Sequence, residues 1–147
     1  MRSGFDPAQR VLLLDTHVVI WLTEGDLQLG AQAKEALRQA YREERALISA
    51  ITPWEIALLV RKGRLRLGRD VLEWVHSALA VPGVQLAALE PEIAVDSTRL
   101  PWEAHGDPAD RILVATARHL GATLVTADGA LLEFAKQGHF VAMDAGA

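Results

Sequence analysis

At 147 residues, with 50% hydrophobic and 23% charged residues, the chain has the size and composition of one globular domain with room for a real core, which excludes an intrinsically disordered protein. Its net charge of -4 argues against nucleic-acid binding over the whole surface but leaves a local basic patch open. Cysteine is absent, so disulfides and thiolate metal sites are excluded and any metal must be held by oxygen or imidazole. In chain order, residues 1–10 carry Gly4, Pro7 and mixed polar side chains and are expected to form a flexible leader. Residues 11–147 are expected to form a single domain. The stretch VLLLDTHVVIWL, Val11 to Leu22, opens with four apolar residues. They are too few for a helix and fit a strand buried on both faces, as in a parallel sheet. Asp15 closes that strand, and Val18 to Leu22 fit a short buried helix stopping near Gly25.

A second helix is expected from Gly30 to Arg45, where Ala33, Ala36, Leu37, Ala40 and Tyr41 recur at helical spacing. Ala46 to Ile51 fits the next strand. Thr52 and Pro53 open a third helix that ends at Gly63, since proline in the first turn lacks only a donor that is unpaired there anyway. Val71 to Leu79 marks a fourth helix, closed by Pro82 and Gly83. Val84 to Leu89 is a strand, Glu92 to Leu100 a short helix, and Asp107 to Leu120 a longer one ended by Gly121. TLVTAD, Thr123 to Asp128, is a strand, Ala130 to Lys136 a last helix, and HFVAMD an edge strand. Strands alternate with helices throughout, with no linker, repeat or low-complexity tract. That alternation predicts an α/β fold with a parallel sheet flanked by helices. Apolar runs such as Ile56 to Val60 fall far short of the roughly 20 residues a membrane span needs, and no positively charged start leads into an apolar segment, so no signal segment is expected. A cytoplasmic location with no membrane partner is expected.

The chemistry lies in where the acids fall. Asp15 and Asp128 both leave strands at their C-terminal ends, the edge where open α/β sheets place their ligands. Glu55 and Asp110 each sit in the first turn of a helix that would point at the same edge. Every one of them has an alternative structural role. Asp15 can cap the helix that starts at Thr16, Thr52 to Glu55 spells a T-x-x-E capping box, and Asp107 to Asp110 is a similar start with Pro108 at the first position. Asp128, before Gly129, can be a turn aspartate. Taken together the four carboxylates are more informative, because acids converging in one crevice raise each other's pKa unless a cation neutralises them. Oxygen ligands suit Mg²⁺ or Mn²⁺, which can activate a water for attack on phosphorus and stabilise the leaving oxygen.

VLLLDTHVVIWL, SAITPWEIALLVRKGRL, HGDPADRILVATAR and LVTAD, in this order and at these separations, together resemble a PIN-domain ribonuclease, in particular the VapC toxins of type II toxin–antitoxin systems. The resemblance spans Val11 to Asp128. It implies a three-layer α/β/α sandwich with a mostly parallel sheet, Mg²⁺-dependent endoribonuclease activity on RNA, a small antitoxin partner and a homodimer. It carries the family's four acids over to Asp15, Glu55, Asp110 and Asp128. The family's threonine or serine near the last acid is matched by Thr126, a candidate to hold a metal-bound water beside the substrate. Asp107 has no settled place in the set.

Further residues are weighed singly. Arg61, Lys62, Arg64, Arg66 and Arg69 fall within nine residues without an acid and offer either helix C-terminal charge compensation or a docking patch for RNA or an acidic antitoxin tail. Arg111, beside Asp110, can contact substrate phosphate or pair with a site carboxylate. His17 is expected in the core, and Trp54 and Trp74 on apolar helix faces. Trp102 is expected to be exposed enough to stack a base, and His105 lies in a loop near the site. Alternatives to the ribonuclease are a PIN-like nuclease acting on DNA or structured junctions, and a non-catalytic binding module. An aspartyl-nucleophile phosphatase is disfavoured because His17 stands where its second aspartate would be.

Overall fold

The computed structural model describes residues 6–102 and 106–147. Five strands form one sheet in the order β3-β2-β1-β4-β5, where β1 is Leu12–Leu14, β2 Ala46–Ser49, β3 Val84–Ala87, β4 Thr123–Thr126 and β5 Val141–Asp144. Every neighbouring pair is parallel, so the expected mostly parallel sheet is parallel throughout. The three leucines of β1 are wholly buried because the strand is flanked on both edges and covered on both faces. Among the described residues seven helices cover it: α1 Thr16–Glu24, α2 Ala31–Arg42, α3 Ile51–Arg61, α4 Val71–Leu79, α5 Pro91–Ser97, α6 Pro108–Leu120 and α7 Gly129–Ala135.

Strand alternation divides the core. Leu12 and Leu14 point to one layer with Val18, Leu37, Ile48, Ile56, Trp74 and Val125. Leu13 points the other way, with Leu113, Leu124, Leu131 and Phe134. The result is the expected α/β/α sandwich, and burying each such leucine contributes about 1.5–3 kcal/mol. The sheet's order turns around β1: the chain builds outward to β2 and β3, then returns to place β4 on the other side. A crevice opens at such a switch point, outside the carboxyl ends of β1 and β4.

Several boundaries differ from the sequence reading for identifiable reasons. Helix α3 starts at Ile51, with Ser49 Oγ accepting the Ile51 amide at 3.1 Å, so Pro53 stands third in the helix. The capping box that Thr52 to Glu55 spells, the alternative role for Glu55, therefore does not form. Residues 6–10, expected to be a flexible leader, include a 3-10 turn, Pro7–Gln9, capped by Asp6. Thr123 Oγ1 donates to Pro7 O at 2.9 Å, and Arg45 donates to the carbonyls of Ala8 and Arg10. Trp74 is 2% exposed and donates its indole N–H to Glu24 Oε2 at 3.0 Å, as a core tryptophan with a polar partner should. Trp54, also expected in the core, is 56% exposed. Among the described residues no helix is long and apolar enough to cross a membrane.

Between α4 and β3 the chain turns through Gly83 at φ 95, where a Cβ would stand 1.7 Å from the Tyr41 carbonyl oxygen. Gly68 has φ 72 but nothing within 4 Å of a built Cβ. Gly68→Ala is expected to show only the cost of a left-handed backbone, about 1–2 kcal/mol, whereas Gly83→Ala adds a backbone clash and must lose more. Urea unfolding of the two variants measures the difference.

Candidate functional site

A crevice of about 280 Å³ at the switch point is lined by Asp15, His17, Trp21, Glu55, Asp107, Asp110, Ala127 and Asp128. Three of its acids are the N-caps of helices that begin at the sheet edge. Asp15 caps α1 through Oδ1, which accepts the Thr16 amide at 2.7 Å. Asp107 caps α6 through Oδ1, which accepts the amides of Ala109 and Asp110 at 2.9 and 3.3 Å. Asp128 caps α7 through Oδ1, which accepts from Ala130 and Leu131 at 2.8 and 3.2 Å. Capping and facing the crevice are thus compatible, because a carboxylate has a second oxygen. Asp110 comes from the first turn of α6, where helix N-terminal amides favour negative charge, whereas Glu55, expected in a first turn, stands fifth in α3 because that helix starts at Ile51.

Hydroxyl groups tie the acids together from behind. Thr126 is wholly buried at the end of β4; its hydroxyl donates to Asp15 Oδ2 at 2.7 Å and accepts the Asp128 amide at 3.0 Å. The Thr16 hydroxyl donates to Glu55 Oε1 and lies 3.1 Å from Thr52 Oγ1. Thr126, expected beside the substrate, thus stands behind Asp15 and joins it to Asp128. Arg111, expected at the substrate, does not line the crevice; its Nε donates to Ser97 O at 2.9 Å and a terminal nitrogen to Trp102 O at 2.6 Å. Among the described residues no group of three His, Asp or Glu side chains is disposed to hold a metal ion as placed. The acids surround an opening rather than forming a closed shell.

The amino-acid sequence matches the PIN domain over residues 12–137. It is 33% identical to Ribonuclease VapC22 of Mycobacterium tuberculosis, over 80% of this chain and 86% of that protein. The chain belongs to the PIN-domain family. Solved structures share the fold: DNA-bound VapBC from Salmonella typhimurium at a TM-score of 0.66 and 18% identity, covering 92% of this chain and 98% of that one. VapBC2 from Rickettsia felis, bound to a DNA fragment from its promoter, aligns at 0.64 and 13% identity, covering 90% and 97%. FitAcB from Neisseria gonorrhoeae aligns at 0.62 and 22%, covering 90% and 96%.

Two residues of the PIN crevice do not stand out in the sequence as site candidates. His17 is exposed and lines the crevice, contrary to its expected place in the core, and Trp21 lies one helical turn further along α1, with ring centroids 6.4 Å apart. The i, i+4 spacing of the two rings after Asp15 is the signal that could have found them. Trp102, expected to be free for a base, is half-buried and stacks on Phe134 at a centroid distance of 4.3 Å. His105 lies outside the described residues.

Burial first, and then the crowding of acids, sets the electrostatics. Burial pushes the Asp15 carboxyl above the ordinary carboxylate range, and Asp128 adds to the rise; the Thr126 hydroxyl, the Thr16 amide and His17 oppose it. Glu55 is pushed up to about 7, first by burial and then by Asp15, Asp110 and Asp107, against the Thr16 hydrogen bond. A raised carboxyl pKa means that the native state holds a proton the unfolded chain has already released. Between pH 4.5 and about 7, therefore, folding stability falls as pH rises. Because Glu55 is partly solvated, the loss is expected to be on the order of 1 kcal/mol rather than the full linkage value. Thermal melts of the metal-free protein should show this decline, and Glu55→Gln should flatten it; an unchanged slope would remove Glu55 as its source.

Proposed function

We propose that the chain is a divalent-cation-dependent endoribonuclease, acting in the cytoplasm as the toxin of a toxin–antitoxin pair. The observation that carries this reading is the gathering of five carboxylates, Asp15, Glu55, Asp107, Asp110 and Asp128, in one crevice at the switch point. Among the described residues no serine, cysteine or lysine lines that crevice, so its chemistry does not rest on a nucleophile of those types. The relative's name, Ribonuclease VapC22, supports phosphodiester hydrolysis in RNA as the reaction.

The donor set fits a hard cation: the ligands available are carboxylate oxygens, and at Glu55, already pushed up by burial, the neighbouring acids add to the rise. Asp15, Glu55, Asp110 and Asp128 would hold Mg²⁺ or Mn²⁺. When bound, such an ion supplies Lewis acidity that lowers the pKa of water and offsets charge on the departing oxygen. The chain's own groups do the positioning. Thr126 and the Thr16 amide fix both oxygens of Asp15, so its carboxylate plane is set before any ligand arrives. Thr16 holds Oε1 of Glu55, leaving Oε2 to exchange a proton with the crevice near neutral pH. His17 and Trp21 form the crevice wall on α1.

For the partner, we read the exposed basic residues Arg61, Lys62, Arg64 and Arg66 as a face for an acidic antitoxin segment. Leu65 and Leu67 between them pack on the core and keep the arginines turned outward. The similarity of the fold to VapBC complexes supports a small protein partner. A short reading frame beside the gene is the expected source of the antitoxin, and its co-expression should yield a stable complex that lacks nuclease activity. Reversing the charge of Arg64 and Arg66 should weaken it; unaltered binding would take the partner elsewhere.

Cleavage assays on single-stranded RNA, with DNA alongside, test the activity directly. Mg²⁺ is expected to raise the melting temperature of the wild type, by about 2.7 kcal/mol of stabilisation at roughly 100 times Kd. Asp15→Asn should lose both that gain and the cleavage, and full Mg²⁺-dependent activity in that variant would refute the site. Asp110→Ala should abolish cleavage with little cost to metal-free stability. Asp107→Ala, by losing two amide bonds at the N-cap of α6, should cost roughly 0.5–2 kcal/mol and keep measurable activity. DNA cut in preference to RNA would point to the DNA-nuclease alternative.

A further inference from the structure

A second cleft, of about 400 Å³, lies between α5 and α6 and is lined by Asp96, Arg99, Leu100, Ala115, Arg118 and His119. Its floor is apolar and buried, made by Leu100 and Ala115, while both guanidinium groups, the imidazole and the carboxylate stand exposed around the rim. Neither arginine forms an ion pair, with Asp96 or any other acid, among the described residues. The rim therefore keeps a positive excess in a protein of net charge -4.

We propose that this cleft is a second phosphate subsite, binding a phosphodiester of the substrate strand several nucleotides from the cut. The proposal rests on the ribonuclease reading above. Cations in the last turn of α6 are favoured by the helix dipole, which accounts for Arg118 and His119 taken alone. It does not account for Arg99, which arrives from the segment after α5, nor for the small residue at 115 that leaves the space open. Arg111, Ala115, Arg118 and His119 share one face of α6 at i, i+4, i+7 and i+8. Arg111 binds the carbonyls of Ser97 and Trp102, at the two ends of the segment that carries Arg99 and Leu100. That clamp holds Arg99 against α6 before any ligand binds.

The spacing suits a strand crossing both sites. Asp110 in the crevice and Arg118 in the cleft are eight residues apart on one helix, about 12 Å along its axis. At about 3.4 Å per stacked nucleotide this is three to four nucleotides. An acid-lined crevice repels a polyanion, so attraction at a distance from the reacting bond is what the substrate needs. Guanidinium groups meet a phosphodiester with charge-assisted, paired hydrogen bonds.

The test compares the wild type with Arg99→Gln/Arg118→Gln, on a single-stranded RNA long enough to span both sites and on a dinucleotide. The double variant should raise KM for the long RNA roughly tenfold and leave dinucleotide cleavage unchanged. Its affinity for the long RNA, measured by anisotropy without divalent cation, should show a salt slope lower by about 0.7 for each phosphate it no longer neutralises. Ala115→Leu, which keeps every charge but fills the floor, should reproduce the weaker binding, and Asp96→Asn should tighten it relative to the wild type. Equal effects on long and short RNA, or none on either, would overturn the subsite while leaving the ribonuclease reading intact. If the wild type binds long RNA but cuts none, a drop in binding in the double variant still supports the subsite, and only the nuclease reading fails. Titration with inorganic phosphate separates the sources: phosphate binding that disappears in the double variant, with RNA affinity unmoved, would mark a free-anion site and overturn the proposal.

Discussion

The hydrogen bond from the Thr126 hydroxyl to Asp15 Oδ2 is the interaction on which the crevice depends, because Asp15 is only 6% exposed and a carboxylate so placed needs fixed donors. Sheet register supplies the donor. Leu14 on β1 stands opposite Val125 on β4, so the next residues along, Asp15 and Thr126, meet beyond the last paired leucine. A slip of one residue would turn Thr126 to the opposite face and leave Asp15 buried without it. The register in turn is held by the leucines, whose alternation assigns Leu12 and Leu14 to one layer and Leu13 to the other. Core packing and site geometry are therefore one constraint seen at two places along the same strand.

Helix capping extends that constraint around the crevice. Asp15, Asp107 and Asp128 each commit Oδ1 to amides at the start of a helix, which fixes the carboxyl group and leaves Oδ2 to other partners. Three helix N-termini converge there, and their partial positive charge offsets some of the repulsion among the acids. The offset is incomplete, since at Glu55 the neighbouring acids add to the rise that burial begins. Glu55 makes no capping bond, it faces Asp15, Asp107 and Asp110, and it is the acid whose proton is held up to about pH 7. The group least anchored by a helix start is the one most responsive to what enters the crevice.

Much of this is legible in the chain because the signals are local. A run of four apolar residues ending in an acid marks β1 and Asp15, and Asp107 with Pro108 marks the start of α6. What stays hidden depends on partners distant in sequence. Nothing near Trp102 announces its stack on Phe134, and nothing near Glu55 announces the hydroxyl of Thr16. A sound local rule makes Pro53 the first residue of its helix, yet the helix begins two residues earlier, where Ser49 accepts the Ile51 amide. Trp54 shows the limit of periodicity. In a mostly apolar helix, the stripe that is buried cannot be separated from the stripe that is not, and tertiary packing left Trp54 outside.

Opposite charges at the two ends of α6 can serve one ligand only if each acts locally. Salt screens exposed charges over about 10 Å at 0.1 M, and the axial separation of Asp110 and Arg118 is about 12 Å. The acids then set the field at one phosphodiester without cancelling the arginines' attraction for another. Were the two groups a single turn apart they would pair with each other, as Glu133 and Lys136 do at 3.0 Å, and neither would be left for a ligand. The length of α6, thirteen residues from Pro108 to Leu120, is what keeps them distinct, and that length is set by the need to span the sheet from the crevice edge back to the start of β4. The same packing requirement that makes the domain fold thus fixes the distance at which its two charged surfaces act.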